Sequence, residues 1–367
     1  MMRIRARNLG MKFGTLPTGR KNAITDIPGV MVGHSTLIKD PDKSGSISRM
    51  VRTGVSIIFP HKDITSNPVY AGVHTINGNG EVTGVHWIDE SGLLTSPIGL
   101  TNTHSVGTVR DSIISFFRGA SDNSGTFMLP VVGETYDGFL NDINGQHIRT
   151  EHVYQAIESA SSNEVREGNI GGGTGMIAYE FKAGIGTSSR KIDLYGKEYT
   201  VGVLVQANYG KRHHLNVNGI QLGELMPVSK IPGKFNEDDG KLQDSKSGSI
   251  IVVIGTDVPL LPDQCKRLAK RAAFGLGRIG SIGENSSGDF SIAFSTGNII
   301  NTDTVSPFSV TTILPDDMSH LFNAVTEAVP EAVINSMCAA ETMTGNAGRT
   351  IYKMPVDIVS DLFRNNQ

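Results

Sequence analysis

The chain has 367 residues, of which 38% are hydrophobic and 19% charged, and its formal net charge is −3. This balance is typical of a globular protein with a sizeable core, and it gives no electrostatic reason to expect binding to nucleic acid or to an anionic membrane. No apolar segment follows the basic first eight residues, and no apolar run approaches the roughly 18 residues of a membrane span. We therefore expect neither a secretory signal nor a membrane anchor.

Short apolar runs that alternate with helical patterns predict a mixed α/β fold for the first two thirds of the chain. Strands are expected at residues 53–60, 128–135 and 199–206, the last with valines at every second position. Helices are expected at about 108–118 and 150–160.

The junction between Gly248 and Ser249 is the most informative feature. Residues 235–246 are polar and lack periodicity, which predicts an exposed loop, and residues 250–254 form an apolar run typical of a buried strand. Glycine has no Cβ, so its carbonyl is unshielded and open to attack by the serine hydroxyl. Self-cleavage there would free Ser249 as a nucleophile with its own α-amino group as base. A serine that merely begins a strand after a surface loop has the same pattern.

The segment after this junction continues without a linker. A helix from Pro262 is predicted by a one-sided apolar stripe, followed by a strand at 290–294 and by helices near 319–329 and 331–343. The stripe consists of Cys265, Leu268, Ala269, Ala272 and Leu276. We therefore predict one compact domain over residues 1–367, which self-cleavage would divide into chains 1–248 and 249–367.

Other motifs argue against cofactors. The pattern G-x-G-x-x-G at 275–280 follows a helix rather than a strand, which excludes a dinucleotide fingerprint. The ten histidines lack spacings typical of metal sites, so we expect no cofactor and no metal. Arg212, His213 and His214 are interpreted as a polar loop surface. Cys265 and Cys338 lie on apolar helix positions, so buried free thiols in a reducing cytoplasm are expected.

Taken in order, several motifs resemble the L-aminopeptidase/D-esterase and β-aminopeptidase family of self-processing N-terminal-nucleophile hydrolases. The resemblance runs over nearly the whole chain, and its specificity comes from the joint order of the motifs. The matching segments are residues 22–36, 99–107, 132–138, 205–210, 248–249 and 286–289.

The resemblance implies a role for each matching residue. Ser249 is the expected nucleophile, Asn208 the donor to the oxyanion, and Tyr136 a hydroxyl that lines the site. Ser287 and an acidic residue two places on form a relay in the family, and here the acid is Asp289, where some relatives carry glutamate. The family fold is an α-β-β-α sandwich of two mixed sheets between helix layers. Members assemble as homo-oligomers, with a tetramer as the expected form.

The residue pattern supports this site independently. Ser249 and residues 287–289 each stand at the start of a predicted strand, so their side chains cluster if the two strands are neighbours. Each residue also has an ordinary structural interpretation: Asp289 as a turn cap, Tyr136 as a core aromatic, and residues 208–210 as a turn.

We predict a cofactor-independent amidohydrolase that cuts itself between Gly248 and Ser249. It would then release N-terminal residues from short peptides, amides or esters through an acyl-enzyme on Ser249. Glu134, two residues from Tyr136, is the candidate partner of the substrate amine, although a solvated or core-edge carboxylate fits the pattern nearly as well.

Three alternatives remain open from the sequence. An acyltransferase of the ornithine acetyltransferase type resembles this family, but it typically uses threonine as its nucleophile. A non-enzymatic binding protein on the same fold would never release Ser249. A conventional serine–histidine arrangement would use His104 or His213 as the base.

Overall fold

The computed structural model describes residues 4–41, 49–118, 127–234, 248–302 and 305–365. The strands are β1 (Met31–Lys39), β2 (Val51–Phe59), β3 (Val69–Gly78), β4 (Leu93–Leu94), β5 (Ile98–Asn102), β6 (Val131–Thr135), β7 (Ile177–Ala178), β8 (Phe181–Lys182), β9 (Ile185–Leu194), β10 (Lys197–Asn208), β11 (Ser249–Thr256), β12 (Gly288–Ile299), β13 (Met343–Thr344) and β14 (Thr350–Ile351). The helices are α1 (Val85–Ser91), α2 (Val106–Arg118), α3 (Thr150–Glu158), α4 (Leu222–Leu225), α5 (Pro262–Ala269), α6 (Ala272–Gly277), α7 (Met318–Cys338) and α8 (Val356–Asn365).

Two mixed sheets form the centre of the molecule. In the described part of the chain, the first sheet has the order β1-β2-β5-β6, with only β5 and β6 parallel. The second has the order β4-β3-β12-β11-β10-β9, with only β11 and β12 parallel. The strand that begins at Ser249 therefore lies inside a sheet whose other strands come from both sides of the junction.

Helices cover the outer faces of both sheets. Helices α2 and α3 pack on the first sheet, and α5 and α7 pack on the second. The sheets meet face to face where Ile251 of β11 packs on Gly133 of β6, whose missing Cβ would lie 3.2 Å from the isoleucine side chain. This arrangement is the expected α-β-β-α sandwich. None of the described helices combines the length and the apolar character that a membrane span requires.

Strand β11 is buried on both of its faces, which explains its continuous apolar run. Ile250, Val252 and Ile254 belong to the core between the second sheet and its helices. Ile251 and Val253 belong to the core between the two sheets. Each fully buried aliphatic side chain contributes roughly 1.5–3 kcal/mol to folding, so the start of this strand is held rigidly.

The helix predicted from Pro262 is interrupted. Its apolar stripe is buried as expected, but α5 ends at Ala269 and α6 begins at Ala272. At the break the Arg271 amide donates to the carbonyl of Leu268, three residues back, so the chain tightens into a turn.

The two helices predicted on either side of Pro330 form one helix, α7, which ends at Cys338 rather than at residue 343. An internal proline costs a helix about 3 kcal/mol, but Pro330 is buried where α7 packs on the second sheet and on α6. Gly275 of α6 permits this approach, because a Cβ there would lie 2.7 Å from Val329. Tertiary packing therefore outweighs the proline.

The placement of Arg212 on a polar loop surface is wrong. Arg212 is buried, its guanidinium lies 3.4 Å from the centre of the Phe181 ring, and it donates to the carbonyls of Tyr179, Glu180 and Met226. The neighbouring His213 is exposed. A charged side chain can be buried at this position because its donors are satisfied by main-chain oxygens.

Candidate active site

The register of the second sheet brings four of the predicted site residues to one end of it, namely Asn208, Ser249, Ser287 and Asp289. Ser249 pairs with Gly288 of the parallel strand β12, so Ser287 and Asp289 flank its partner. On the other side Ser249 pairs with Asn208, the last residue of β10. The strands that begin at Ser249 and Gly288 are therefore neighbours, which is the condition under which their polar side chains cluster.

The Gly248–Ser249 peptide is enclosed by this cluster. A Cβ on Gly248 would lie 1.4 Å from the carbonyl oxygen of Asn208, so no residue with a side chain fits there without moving the backbone. The Gly248 carbonyl accepts a hydrogen bond of 2.5 Å from the Ser287 hydroxyl. The Ser249 residue itself is only 6% exposed. The loop predicted at 235–246 lies outside the described residues.

Ser287 and Asp289 are in direct contact, so the shorter aspartate reaches its partner. The Ser287 hydroxyl lies 2.6 Å from Oδ1 of Asp289, and Asn77 donates to Oδ2 at 3.0 Å. Burial raises the pKa of the Asp289 carboxyl. The Ser287 hydroxyl is within donating distance of both the Gly248 carbonyl and Oδ1 of Asp289 and has one hydrogen to offer them. It can donate fully to the Gly248 carbonyl and also accept from the carboxyl when Asp289 is protonated.

The side chain of Asn208 is held from both ends of its amide. Its Nδ2 donates to the Tyr136 carbonyl at 2.9 Å, and its Oδ1 accepts from the Ile177 amide at 2.9 Å. These contacts fix which end of the amide carries the donors. The amide nitrogen carries two hydrogens, and the contact to Tyr136 uses one of them.

Glu134 and Tyr136 lie at and beyond the end of β6. Tyr136 is 46% exposed, so it is not a core aromatic. Glu134 is buried, and its carboxylate accepts from the Glu81 amide at 3.0 Å and from the Thr103 hydroxyl. Burial raises the pKa of the Glu134 carboxyl.

The glycine cluster at residues 78–80 connects Glu134 to the end of β12. A Cβ on Gly80 would lie 2.8 Å from Oε1 of Glu134 and 3.3 Å from the Cα of Gly288, the strand partner of Ser249. Glycine at this position therefore lets the Glu134 carboxylate approach the nucleophile end of the sheet.

Sequence reasoning missed several residues that hold the site. Asn77 adjoins the glycine cluster at residues 78–80, and such a cluster is the available signal for its contact with Asp289. Thr103 lies within the matching segment at residues 99–107, but the resemblance assigns it no role; its hydroxyl donates to the Glu134 carboxylate. Ile177 contributes a backbone amide, a group that every residue except proline carries, so its identity contains no signal.

Comparison with known proteins identifies the family of the chain. The model of the family described as Peptidase family S58 matches residues 22–351. The chain is 46% identical over 357 residues to the β-peptidyl aminopeptidase BapA of Sphingosinicella microcystinivorans, covering 96% of this chain and 89% of the relative.

Solved structures match over almost the full length. A Burkholderia sp. β-aminopeptidase superposes with a TM-score of 0.89 at 44% identity, covering 99% of both chains. The L-aminopeptidase D-Ala-esterase/amidase of Ochrobactrum anthropi, described as a prototype for the serine aminopeptidases and a variant of the Ntn hydrolase fold, gives 0.88 at 41% identity. The match covers 99% of this chain and 98% of the Ochrobactrum anthropi chain. These matches favour the hydrolase over the acyltransferase and the binding protein. The chain belongs to peptidase family S58 and is a hydrolase of the aminopeptidase type.

Proposed function

We propose that the protein cuts its own chain between Gly248 and Ser249 and then acts as an N-terminal-nucleophile aminopeptidase. The observation that carries the proposal is the environment of the Gly248 carbonyl. It accepts a hydrogen bond from Ser287, and its residue has no room for a side chain. The bond is therefore held in place at the start of a rigid strand.

Self-cleavage begins when the Ser249 hydroxyl adds to the Gly248 carbonyl carbon. Ser287 donates to the carbonyl oxygen as that oxygen becomes negatively charged. The C–N bond then breaks as the proton lost by the hydroxyl passes to the nitrogen, which leaves an ester between Gly248 and the Ser249 oxygen and a free α-amino group on Ser249. Water hydrolyses the ester and releases the Gly248 carboxylate. The resulting chains, 1–248 and 249–367, remain associated as one domain because β11 pairs with β10 and β12.

In turnover the freed amine of Ser249 serves as the base. An α-amino group has an ordinary pKa of roughly 7.7–8.0, so about a fifth to a third of it is neutral near physiological pH, and the neutral fraction rises with pH. The Ser249 oxygen attacks the substrate carbonyl, and the second Nδ2 hydrogen of Asn208 stabilises the oxyanion. The Tyr136 hydroxyl assists in holding this intermediate. The leaving amine departs with a proton, and water then releases the acyl group, with Ser287 and Asp289 relaying protons.

The proposed substrates are short peptides, amides or esters with a free N-terminus. The names of the relatives from Sphingosinicella microcystinivorans and Burkholderia support a β-amino acid as the preferred first residue. Measuring kcat/KM for β-alanyl and L-alanyl p-nitroanilide tests this preference. A higher value for the β-alanyl compound supports it. Cleavage of the L-alanyl compound alone would be consistent with an aminopeptidase but would contradict the preference for a β-amino acid.

Glu134 is the proposed partner of the substrate ammonium. A charged hydrogen bond is worth roughly 1.5–3 kcal/mol, so Glu134→Gln should raise KM about 10- to 100-fold. The raised pKa means that the carboxyl becomes protonated at a higher pH than an exposed glutamate does. The wild-type KM should therefore increase as the pH falls and the Glu134 carboxyl becomes protonated, and the variant should lose that dependence.

Steady-state kinetics between pH 5 and pH 8 check this expectation, with Glu90→Gln as a control. Glu90 is an exposed carboxylate on α1, and its replacement should leave KM within about twofold. An unchanged KM and a retained pH profile in Glu134→Gln would show that this carboxylate does not bind the substrate amine.

Two further expectations accompany this proposal. The family resemblance suggests a homo-oligomer, in the form of a tetramer, and light scattering on the purified protein tests it; a monomeric mass would reject it.

The two cysteines, Cys265 and Cys338, are both described, and both are buried and free, which supports the reducing cytoplasm as the location. Cell fractionation tests the location.

A further inference from the structure

Lys182 is fully buried behind the site. Its side chain has no solvent exposure, which is rare for lysine because burial of an ammonium is costly. The amine donates to the carbonyl of Met176 at 2.6 Å and to the carbonyl of Ala183 at 2.7 Å. These bonds span the short hairpin of β7 and β8.

The peptide between Met176 and Ile177 links this lysine to Asn208. Its carbonyl accepts from Lys182, and its N–H donates to Oδ1 of Asn208. A hydrogen bond on the oxygen of an amide polarises that amide and strengthens donation by its N–H. The effect passes to the Asn208 amide, whose Oδ1 is the acceptor and whose Nδ2 is the donor. One chain of hydrogen bonds thus leads from the buried amine to the proposed oxyanion donor.

A second buried ionisable group lies on the opposite side of Asn208. Nδ2 of Asn208 donates to the carbonyl of Tyr136, the residue directly before Asp137. Asp137 is 1% exposed and accepts from Asn141 at 3.0 Å. Burial raises the pKa of Asp137 to about 7 and lowers the pKa of Lys182, while the opposite charge of Asp137 partly restores that of the lysine. The two peptides that hold Asn208 are therefore each adjacent to one member of this pair.

The turn of the hairpin is also held under strain. Tyr179 and Glu180 both adopt left-handed backbone conformations, with φ of 49° and 61°, which are uncommon for residues other than glycine. Arg212 donates to the carbonyls of both residues at 2.8 Å. Lys182 at the base and Arg212 at the tip thus fix the hairpin that presents the Ile177 amide.

We propose that Lys182 is a positioning residue for the aminopeptidase reaction, acting through the Met176–Ile177 peptide to orient and polarise the Asn208 amide. This inference rests on the proposed oxyanion role of Asn208. It differs from a structural role in the hairpin, because a structural role would not depend on the Asn208 side chain.

A double-mutant cycle separates the two roles. Lys182→Met keeps the unbranched apolar stem of the side chain and removes the amine with its donors. The cycle compares Lys182→Met, Asn208→Ala and the double variant with the wild type. We expect Lys182→Met alone to lower kcat about tenfold or more with KM within about twofold, since it weakens an interaction made in the transition state. In the Asn208→Ala background the same change should lower kcat by less than about twofold.

The proposal would be overturned if the loss of kcat in the double variant equalled the product of the losses in the two single variants. An unchanged kcat in Lys182→Met would overturn it as well. Full turnover in a folded Asn208→Ala variant would instead contradict the proposed oxyanion role itself, so the two failures are distinguishable. Lys191→Met is the control for loss of a lysine on a neighbouring strand. Its amine pairs with Glu198 at 2.9 Å near the surface, and kcat should be unchanged.

Thermal unfolding and intact mass establish that each variant is folded and processed. If Lys182→Met does not fold, Lys182→Gln takes its place in the cycle, because its amide nitrogen is polar but ends one bond short of the position from which the lysine amine reaches the Met176 carbonyl. For Lys182→Gln too, a loss of kcat that disappears in the Asn208→Ala background supports the inference, and an unchanged kcat overturns it. If neither variant folds, the side chain serves the fold rather than Asn208, and the proposal is rejected.

Discussion

Replacing Ser249 with alanine is expected to leave a single chain of 367 residues without aminopeptidase activity. The change removes the hydroxyl proposed to attack the Gly248 carbonyl, and without cleavage the α-amino base is never released. Loss of an activated nucleophile reduces kcat by about 10⁶-fold in a serine peptidase where it has been measured, so turnover should fall below detection. A denaturing gel and a p-nitroanilide assay check both parts.

Ser291→Ala is the matched control for this prediction. Ser291 is a buried serine on β12 of the same sheet, and its hydroxyl donates to the carbonyl of Ala269 at 2.8 Å. Its loss should cost about 1 kcal/mol of stability and leave processing intact. Cleavage of Ser249→Ala at the same bond would mean that Ser249 is not the processing nucleophile.

Asn208→Ala is expected to lower kcat by about 10²–10³, the usual effect of removing one oxyanion donor. The substitution also removes the contacts to the Tyr136 carbonyl and the Ile177 amide, so some loss of stability is expected as well. Steady-state kinetics on processed protein, combined with a thermal melt, separate the two effects.

Asn208→Asp distinguishes donation from packing. An aspartate has the same shape and can still accept from the Ile177 amide, but when ionised it has no N–H to offer an oxyanion. We expect its kcat to fall as far as that of the alanine variant. Near wild-type turnover in either folded variant would rule out the oxyanion assignment.

The sequence predicted the centre of the site because its signals there are local. A glycine followed by serine and a continuous apolar run marks both the junction and a strand buried on two faces. Residues 287–289 precede a second apolar strand, and the parallel pairing of β11 and β12 brings the two starts together. The family resemblance added the roles of Asn208 and Tyr136, which the local pattern alone left as turn and core residues.

The remainder of the site depends on contacts between residues distant in the chain. Asn77 reaches Asp289 only because β3 pairs with β12, and Lys182 reaches the peptide behind Asn208 only because β7 and β8 form a hairpin. No spacing or composition marks the contact of Lys182, and the local signal for Asn77 is limited to the adjoining glycine cluster at residues 78–80. The continuation of α7 through Pro330 has the same origin, since packing of a buried helix outweighs a local preference.

Intact-mass spectrometry of the purified wild-type protein tests the central claim most directly. Self-cleavage predicts two polypeptides, residues 1–248 and 249–367, whose masses sum to that of the full chain plus one water. N-terminal sequencing of the smaller chain should begin at Ser249, followed by Ile250 and Ile251. An active preparation that consists of one uncut chain of 39.3 kDa would contradict self-processing and the amine-as-base mechanism together.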